Sequence, residues 1–262
     1  MFVLPIGDDN PSPRPAYVTW MLMTASVLVW LWQISLGERL GDAAIHGLGF
    51  VPAALFGQVG LHPDLAWVPA WASVVTAMFM HGGLLHLFGN MLYLWIFGNN
   101  VEAAMGHGRF LLFYLLCGVA AALLQSLNDT LSQIPMIGAS GAIAGVLGAY
   151  LLLHPTARVR VLVVFVLFIR VVPVPASLVL GLWFAMQLVS GIMAPPGAAG
   201  VAFWAHVGGF LAGLALVHVF KRRNVPVPVP LPMRGAAGHG TYDTAPDRRP
   251  RQARYRGPPP WG

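Results

Sequence analysis

Charged residues are scarce in this sequence. Asp, Glu, Lys and Arg together make up 9% of the 262 residues, whereas 57% are hydrophobic. Soluble domains carry about 25% charged residues, so a soluble globular domain is excluded. Cysteine is nearly absent as well: Cys117 stands alone, which excludes an intramolecular disulfide and thiolate ligand sets. The composition indicates a membrane protein.

Several functional motifs are missing too. The nine histidines follow neither an HExxH pattern nor a Cys/His ligand spacing, so we predict no metal and no cofactor. No nucleic-acid-binding motif accompanies the net charge of +6, and we predict no nucleic-acid partner. The apolar segments lack the series of carboxylates that an ion pathway needs, and no internal repeat typical of transporters is evident. A channel or transporter is therefore the weakest interpretation.

The sequence does contain long apolar segments. A transmembrane helix needs about 20 mainly apolar residues, and on this basis we predict an all-α fold class, a polytopic bundle of six transmembrane helices. The predicted spans cover residues 16–37, 73–101, 110–128, 140–154, 172–193 and 201–221. Residues 1–15 form a short polar lead and residues 16–221 the membrane domain. Residues 222–262, rich in Pro, Gly and Arg, are predicted to be a disordered tail.

The basic residues predict the orientation of the bundle, because loops on the cytoplasmic side carry an excess of Lys and Arg. With the N-terminus inside, only Arg39 lies outside. The remaining basic residues then face the cytoplasm: Arg14, Arg109, Arg158, Arg160, Arg170 and the cluster from Lys221 to Arg256. We therefore expect both termini of this multi-pass protein to lie on the cytoplasmic side of the cell inner membrane.

The fourth segment, "MIGASGAIAGVLGAY", carries one hydroxyl, Ser140, among small and apolar residues. Pro135 and Pro155 bound this helix, which covers about 22 Å of a hydrocarbon core about 30 Å thick. Its N-terminus must therefore lie inside the membrane, where non-helical backbone needs shelter from protein or water. We expect "LSQIPMIGA" to line a hydrated cavity. Two structural interpretations stay open: a helix N-cap for Ser140, and a packing face for the glycines that follow it.

Ionisable side chains within spans are costly and indicate functional sites. In span two, His86 and Asn90 are spaced i, i+4 and share one helix face. In span six, Gly209 and Gly213 follow His206 on the same face, so this helix can approach a neighbour closely there. We expect the glycine face of span four to be that neighbour.

Three motifs taken together resemble one family. "HGGLLHLFGN", "GASGA" and "AHVGGFLAG" lie in this order on spans two, four and six, and the set resembles the rhomboid family of intramembrane serine proteases. "GNNVEAAMG" and "FLLFYLLCG" are similar to its bacterial members. The resemblance implies a six-helix core with a water-filled active site open to the outer face. It also implies Ser140 as nucleophile, His206 as general base, and His86 and Asn90 as oxyanion-binding residues. Ala144 departs from the pattern, because some members have a tyrosine there that stacks on the histidine.

The chemistry of these residue types agrees with the implied roles. A neighbouring imidazole is the commonest device for removing the proton of a serine nucleophile. Asn90, His86 and the backbone amide of Ser140 offer N–H donors for an oxyanion. Glu102 lies about 18 Å along its helix from Asn90, so we expect a Ser–His dyad without an acidic third partner. Four small residues support the site: Gly138, Gly141, Gly209 and Gly213.

The leading hypothesis is an intramembrane serine endopeptidase that cuts single-span membrane proteins in the lipid bilayer through an acyl-enzyme intermediate. Because a helix must unwind to present a carbonyl, we expect helix-weakening residues near the cut and a small side chain just before it. Lateral access is expected past span five at Trp183 and Phe184, with "APPGAAG" as a lid. The alternative is a non-catalytic rhomboid-like protein that binds transmembrane helices.

Overall fold

A computed structural model describes residues 2–12, 14–60, 63–165, 168–195 and 200–229, and most of them are helical, as predicted. The helices are α1 (Tyr17–Ser35), α2 (Gly37–Leu48), α3 (Pro52–Leu55), α4 (Ala70–Thr76), α5 (Leu84–Met105), α6 (His107–Asn128), α7 (Ser140–Leu153), α8 (Ala176–Met193) and α9 (Phe203–Phe220). The described residues also form three strands: β1 (Phe2–Asp8), β2 (Arg158–Phe165) and β3 (Phe168–Pro175).

The helices form a membrane-spanning bundle. Among the described residues, α1, α6, α8 and α9 are long and apolar enough to cross a membrane, and α7 is a shorter apolar helix. Residues Ala70–Phe79 and α5 have the length and composition of one further span, with a bend of 83° between them. The chain is therefore a multi-pass helical membrane protein. The count of six spans stays a prediction.

The second span differs from its predicted range of 73–101. Helix α4 and a short 3-10 turn precede a sharp bend, and α5 then runs from Leu84 to Met105. The break coincides with Gly82 and Gly83, and a glycine inside a helix costs about 1 kcal/mol relative to alanine. The bend places His86 and Asn90 in the first two turns of α5.

Helix α7 lies in the middle of the bundle. It contacts α5, α6, α8 and α9, and every residue from Gly141 to Tyr150 is buried. An apolar helix in a membrane can be covered by lipid or by protein, and here the neighbouring helices cover α7. With 14 residues it is about 21 Å long, which agrees with the short span expected from the sequence.

Glycines let the backbones of α7 and α9 touch. A Cβ atom on Gly209 would lie 1.9 Å from the carbonyl oxygen of Gly141, and one on Gly213 would lie 2.0 Å from that of Gly145. No carbon atom fits at these distances, so only the hydrogen of glycine is tolerated. The contact expected between these two glycine faces is present, and it holds α9 against the helix that begins at Ser140.

An antiparallel sheet in the order β1-β2-β3 was not predicted. Strands β2 and β3 connect α7 to α8. The helix of the predicted fifth span, α8, therefore begins at Ala176 and not at residue 172, where that span was predicted to start. Strand β1 occupies 7 residues of the predicted polar lead. The physical reason is local: "RVRVLVVF" and "FIRVVPVP" are rich in β-branched valine, and Pro173 and Pro175 disfavour a helix interior.

The sheet lies at the end of the bundle where α5 ends, α6 begins and α9 ends. We call this the basic end, because Arg109, Arg158 and Lys221 lie there. Tyr150 near the end of α7 donates a hydrogen bond to Asp8 Oδ2 at 2.5 Å, which fastens β1 to the central helix.

The first residues of the predicted tail are packed and not disordered. The backbone N–H of Arg222 donates to Ala104 at 2.9 Å, and that of Val229 donates to Leu153 at 2.7 Å. The side chains of Val225 and Val229 are buried. Apolar valines that alternate with prolines therefore cover the basic end up to residue 229. Residues 230–262 of the predicted tail lie outside the described residues.

Glu102 joins α1 to the basic end of α5. Its buried carboxylate accepts hydrogen bonds from the backbone amides of Val18 at 2.9 Å and Thr19 at 2.8 Å. His107 Nδ1 lies 2.6 Å from the same carboxylate. A negative charge at these first amides of α1 is favourable for the helix dipole. Glu102 is thus a structural residue, consistent with its predicted distance from the candidate site.

Candidate active site

The segment before α7 is held from both sides. Met136 exchanges two backbone hydrogen bonds with Phe50, at 2.8 and 2.9 Å, and the amide of Gly138 donates to Ala77 at 2.8 Å. Gly138 has a φ of +121°, which side chains with a Cβ rarely adopt. This turn sets the point at which α7 begins, and Ser140 is the first residue of the helix.

Ser140 is paired with His206. The side chain of Ser140 is half-buried, and its Oγ lies 2.9 Å from Nε2 of His206 on α9. The N-cap position of α7 belongs to Ala139, and no side-chain capping bond is formed there. The hydroxyl therefore does not serve as a helix cap, which was one of the structural interpretations of this serine.

Gln187 on α8 lies behind the histidine. Its Oε1 is 2.7 Å from Nδ1 of His206, and both side chains are buried, with 7% and 9% exposure. An amide oxygen only accepts, so Nδ1 carries the proton in this arrangement. Nε2 then presents a lone pair, and the hydroxyl of Ser140 donates to it. The three side chains form one hydrogen-bonded chain without a carboxylate.

Sequence reasoning missed Gln187. The available signal was a polar side chain within the otherwise apolar fifth span, four residues after Trp183 and therefore on the same helix face. Glutamine is uncharged and fits no standard triad, so its residue type alone does not mark it as a site residue. Among the described residues, the ring nitrogens of His206 contact Gln187 and Ser140, so the third side chain of the group is a neutral amide.

Trp183 and Phe184, predicted as gate residues, both contact α9. The ring of Trp183 lies 5.8 Å from that of His206, centroid to centroid, and Phe184 stacks on Phe210 at 4.5 Å. Ala144, where a stacking tyrosine occurs in some similar proteins, is buried between α7 and α9. The aromatic contact on His206 thus comes from the neighbouring helix α8.

His86 and Asn90 approach the turn before Ser140. A Cβ atom on Gly138 would lie 2.7 Å from His86 Nε2 and 3.7 Å from Asn90 Nδ2. The amide of Gly82 donates to His86 Nδ1 at 3.4 Å, so Nε2 is the protonated nitrogen and faces Gly138. Nδ2 of Asn90 is buried and has no hydrogen-bond partner among the described residues.

An unpaired buried amide is costly, at about 1–3 kcal/mol, and is expected to serve a purpose where it persists. The donor nitrogens of Asn90 and His86 lie next to the backbone of Gly138, which is two residues before Ser140 in the chain. The backbone amide of Ser140, in the first turn of α7, is a further donor without a helical acceptor. These groups can stabilise a negative oxygen that forms next to Ser140.

A small apolar cavity of about 50 Å³ adjoins Ser140. Its lining includes Met78, Gly118, Ala121, Ala122, Gly141 and Ala205. The volume is enough for a water molecule or a small side chain. Among the described residues, no group of three or more His, Cys, Asp or Glu side chains could hold a metal ion.

The fold and the site define a class: a multi-pass helical membrane protein with a serine–histidine pair at the start of a short buried helix. Residues 69–223 match the family model described as the Rhomboid domain. The chain belongs to the rhomboid family.

Curated relatives agree with this assignment. Rhomboid-like protein 11, chloroplastic, of Arabidopsis thaliana is 27% identical over 84% of this chain and 72% of its own length. Rhomboid protein 1, mitochondrial, of Saccharomyces cerevisiae is 32% identical over 66% of this chain and 49% of its own. Rhomboid protease GluP of Bacillus subtilis is 43% identical over 31% of this chain, but the match spans only 15% of that protein. The names include proteases and rhomboid-like proteins.

Proposed function

We propose that this protein is an intramembrane serine endopeptidase that cuts membrane-spanning segments through Ser140 and His206. The observation that carries the proposal is the 2.9 Å contact between Ser140 Oγ and His206 Nε2 within a membrane bundle. The membership of the rhomboid family, which includes named proteases, supports it further.

Each group has a place in the reaction. As Ser140 Oγ attacks the carbonyl carbon of the substrate, His206 Nε2 takes the hydroxyl proton and later delivers it to the nitrogen of the leaving peptide. The C–N bond breaks and an acyl ester of Ser140 remains. Water then attacks this ester, His206 accepts its proton and returns it to Ser140, and the carboxylic acid is released.

The carbonyl oxygen becomes an oxyanion in both steps. Asn90 Nδ2, His86 Nε2 and the amide of Ser140 are the proposed donors, and removing one such donor typically costs about 10²–10³ in kcat. Among the described residues Asn90 Nδ2 has no acceptor, which supports this role, because its N–H can then bind the oxyanion.

Gln187 is proposed to orient the imidazole. A carboxylate at this position would also stabilise imidazolium by charge, whereas an amide oxygen stabilises it through the hydrogen bond alone. The gain is a site without a buried charge, since placing an isolated carboxylate in an apolar interior is costly. We infer that Ser140, His206 and Gln187 act as a neutral catalytic chain.

The proposed substrates are single-span membrane proteins. The cavity of about 50 Å³ beside Ser140 supports a small side chain, such as that of alanine, just before the scissile bond. Lateral access past α8, at Trp183 and Phe184, remains our proposal for the route. Most of the "APPGAAG" segment proposed as a lid, residues 196–199, lies outside the described residues. We also propose that both termini face the cytoplasm and that the protein resides in the cell inner membrane.

Covalent labelling tests the function directly. A fluorophosphonate probe should label the purified wild-type protein at Ser140, and Ser140→Ala and His206→Ala should each abolish labelling and cleavage of a single-span substrate. The double variant should be little worse than either single one, because the pair acts as a unit. Cleavage that persists in folded Ser140→Ala protein would overturn the proposal. An unlabelled but helix-binding wild-type protein would instead indicate the non-catalytic alternative.

A further inference from the structure

A second concave region lies at the basic end, far along the bundle from Ser140. It is an open depression of about 700 Å³ formed by the turn between α5 and α6 and by the residues that follow α9. Its lining includes Gly106, His107, Arg109, Arg222, Arg223 and Asn224. The proposed catalytic chemistry uses none of these residues.

Three guanidinium groups concentrate positive charge in this depression. Arginine stays protonated at any physiological pH, and among the described residues no carboxylate pairs with Arg109, Arg222 or Arg223. The nearby carboxylate of Glu102 is 1% exposed and is already bound to α1 and His107. The charge of the three arginines is therefore available to an anion.

Two of these side chains are held over the depression. A Cβ atom on Gly106 would lie 2.7 Å from an Nη atom of Arg222, so this guanidinium rests on the turn between α5 and α6. Arg109 Nη1 donates to the carbonyl oxygen of Lys221 at 3.5 Å. The site is thus partly organised before any ligand arrives, which reduces the entropy lost on binding.

The depression lies where three helices of the bundle end. Helix α5 ends at Met105, α6 begins at His107 and α9 ends at Phe220. Helices that cross a bilayer end close to the lipid headgroups, so the three arginines are expected at the depth of the lipid phosphates.

An exposed apolar stripe continues from Arg109 along α6. Its members lie within about 60° of Arg109 around the helix axis, at 100° per residue. They are Leu112, Leu116, Leu123 and Leu127, with exposures of 52%, 38%, 44% and 69%. In a membrane, such a stripe meets acyl chains. The ligand that matches the whole surface therefore has a negatively charged head and an apolar tail.

We propose that this surface binds an anionic phospholipid, with its phosphate between Arg109, Arg222 and Arg223 and its acyl chain along the leucine stripe of α6. Each basic residue near a membrane surface contributes about 1 kcal/mol, or roughly a fivefold change in affinity. This proposal requires only the membrane bundle and does not depend on the proposed protease function.

Native mass spectrometry of the purified full chain tests the proposal. The detergent-solubilised protein is titrated with phosphatidylglycerol and, separately, with uncharged phosphatidylcholine. The wild type should bind phosphatidylglycerol more tightly, and a variant that combines Arg109→Gln, Arg222→Gln and Arg223→Gln should lose on the order of 100-fold in affinity. The matched control combines Arg158→Gln, Arg160→Gln and Arg170→Gln, which removes equal charge from the sheet at the same end, and it should bind like the wild type. Equal losses in both triple variants would overturn the proposal.

Two further arms separate the sources of phosphate and guard against misfolding. Millimolar inorganic phosphate should not displace the lipid, and the pair Leu112→Asn and Leu116→Asn should weaken lipid binding while the arginines are intact. Displacement by free phosphate, or no effect of the leucine changes, would show a site for soluble anions and refute the lipid. If the triple arginine variant does not fold, Arg223→Gln alone should lower affinity about fivefold, and an unchanged affinity would refute the proposal.

Discussion

Replacing Gln187 with methionine tests whether its amide oxygen orients His206. The two side chains are similar in length, but methionine cannot match the amide oxygen as an acceptor for the Nδ1 proton. The 2.7 Å bond is buried, and leaving a buried donor unpaired costs about 1–3 kcal/mol. If losing this bond destabilises the reactive orientation of the His206 ring by that amount, kcat should fall by about 5- to 150-fold.

Gln125 offers a matched control. Its Oε1 accepts a hydrogen bond from the backbone amide of Ala205 at 3.1 Å, one residue before His206, and does not bond the ring. Gln125→Met and Gln187→Met each leave one donor of α9 without its acceptor, so both should lower the Tm. Only the second should slow the chemistry. Gln187→Glu keeps an oxygen at the same place and should recover most of the rate.

The assay combines two measurements on folded, purified protein: the rate of labelling by a fluorophosphonate probe, and kcat and KM for a single-span substrate. For Gln187→Met we expect slower labelling and a lower kcat with KM nearly unchanged, because Gln187 lies behind the histidine and away from Ser140. An unchanged labelling rate in this variant, or an equal loss in Gln125→Met, would refute the idea that Gln187 orients the base.

Three further predictions concern the rest of the molecule. Asn90→Ala should lower kcat by about 10²–10³ in a folded protein, and full turnover of a single-span substrate would show that Asn90 only packs. Gly209→Ala should lower the Tm sharply, because its methyl group would meet the carbonyl of Gly141, whereas Gly181→Ala, which meets nothing within 4 Å, should not; equal Tm values would contradict the close contact. Burial raises the pKa of Asp8 above 3.8, so the folded state binds this proton more tightly, and the free energy of unfolding should fall as pH rises from 3.8 through the higher folded value. Asp8→Asn should remove that part of the pH dependence of Tm, and parallel curves would argue against it.

The parts that sequence predicts well are those with local physical causes. Apolar length predicts helices, and the glycine spacing in the sixth span predicts a close neighbour. The start of α7 at Ser140 follows from the proline and glycines before it. These features need no knowledge of distant contacts.

The sheet at the basic end was missed for the opposite reason. Strands β2 and β3 join two apolar helices, and valine-rich segments next to a span have the hydropathy of that span. Only their alternation with arginine and proline distinguishes them, and β1 pairs with β2 across more than 150 residues of sequence. Long-range pairing of this kind leaves no local signal.

Gln187 was missed because its role depends on geometry between helices. A lone glutamine in an apolar helix can bond its own backbone, a neighbouring helix or a catalytic side chain, and the sequence does not distinguish these. In the structure, Oε1 of Gln187 lies 2.7 Å from Nδ1 of His206, the ring nitrogen that faces away from Ser140.

Helix α8 carries both the proposed gate and the residue that orients the base, which limits how it can move. A shift of the whole helix would break the bond between Gln187 and His206. An opening that leaves the base in place must therefore bend α8 beyond residue 187, and Trp183 and Phe184 then form the fixed wall of the proposed route.

A disulfide across the end of α8 tests this restriction. A Cβ atom on Gly191 would lie 3.3 Å from that of Phe203, close to the 3.5–4.5 Å or so of disulfides, and the native Cys117 is buried. In the variant with Gly191→Cys and Phe203→Cys, oxidation should stop cleavage of a single-span substrate. A small fluorophosphonate should still label Ser140, and reduction should restore cleavage. If the oxidised protein cuts its substrate at the wild-type rate, the end of α8 is not the route by which substrates reach Ser140.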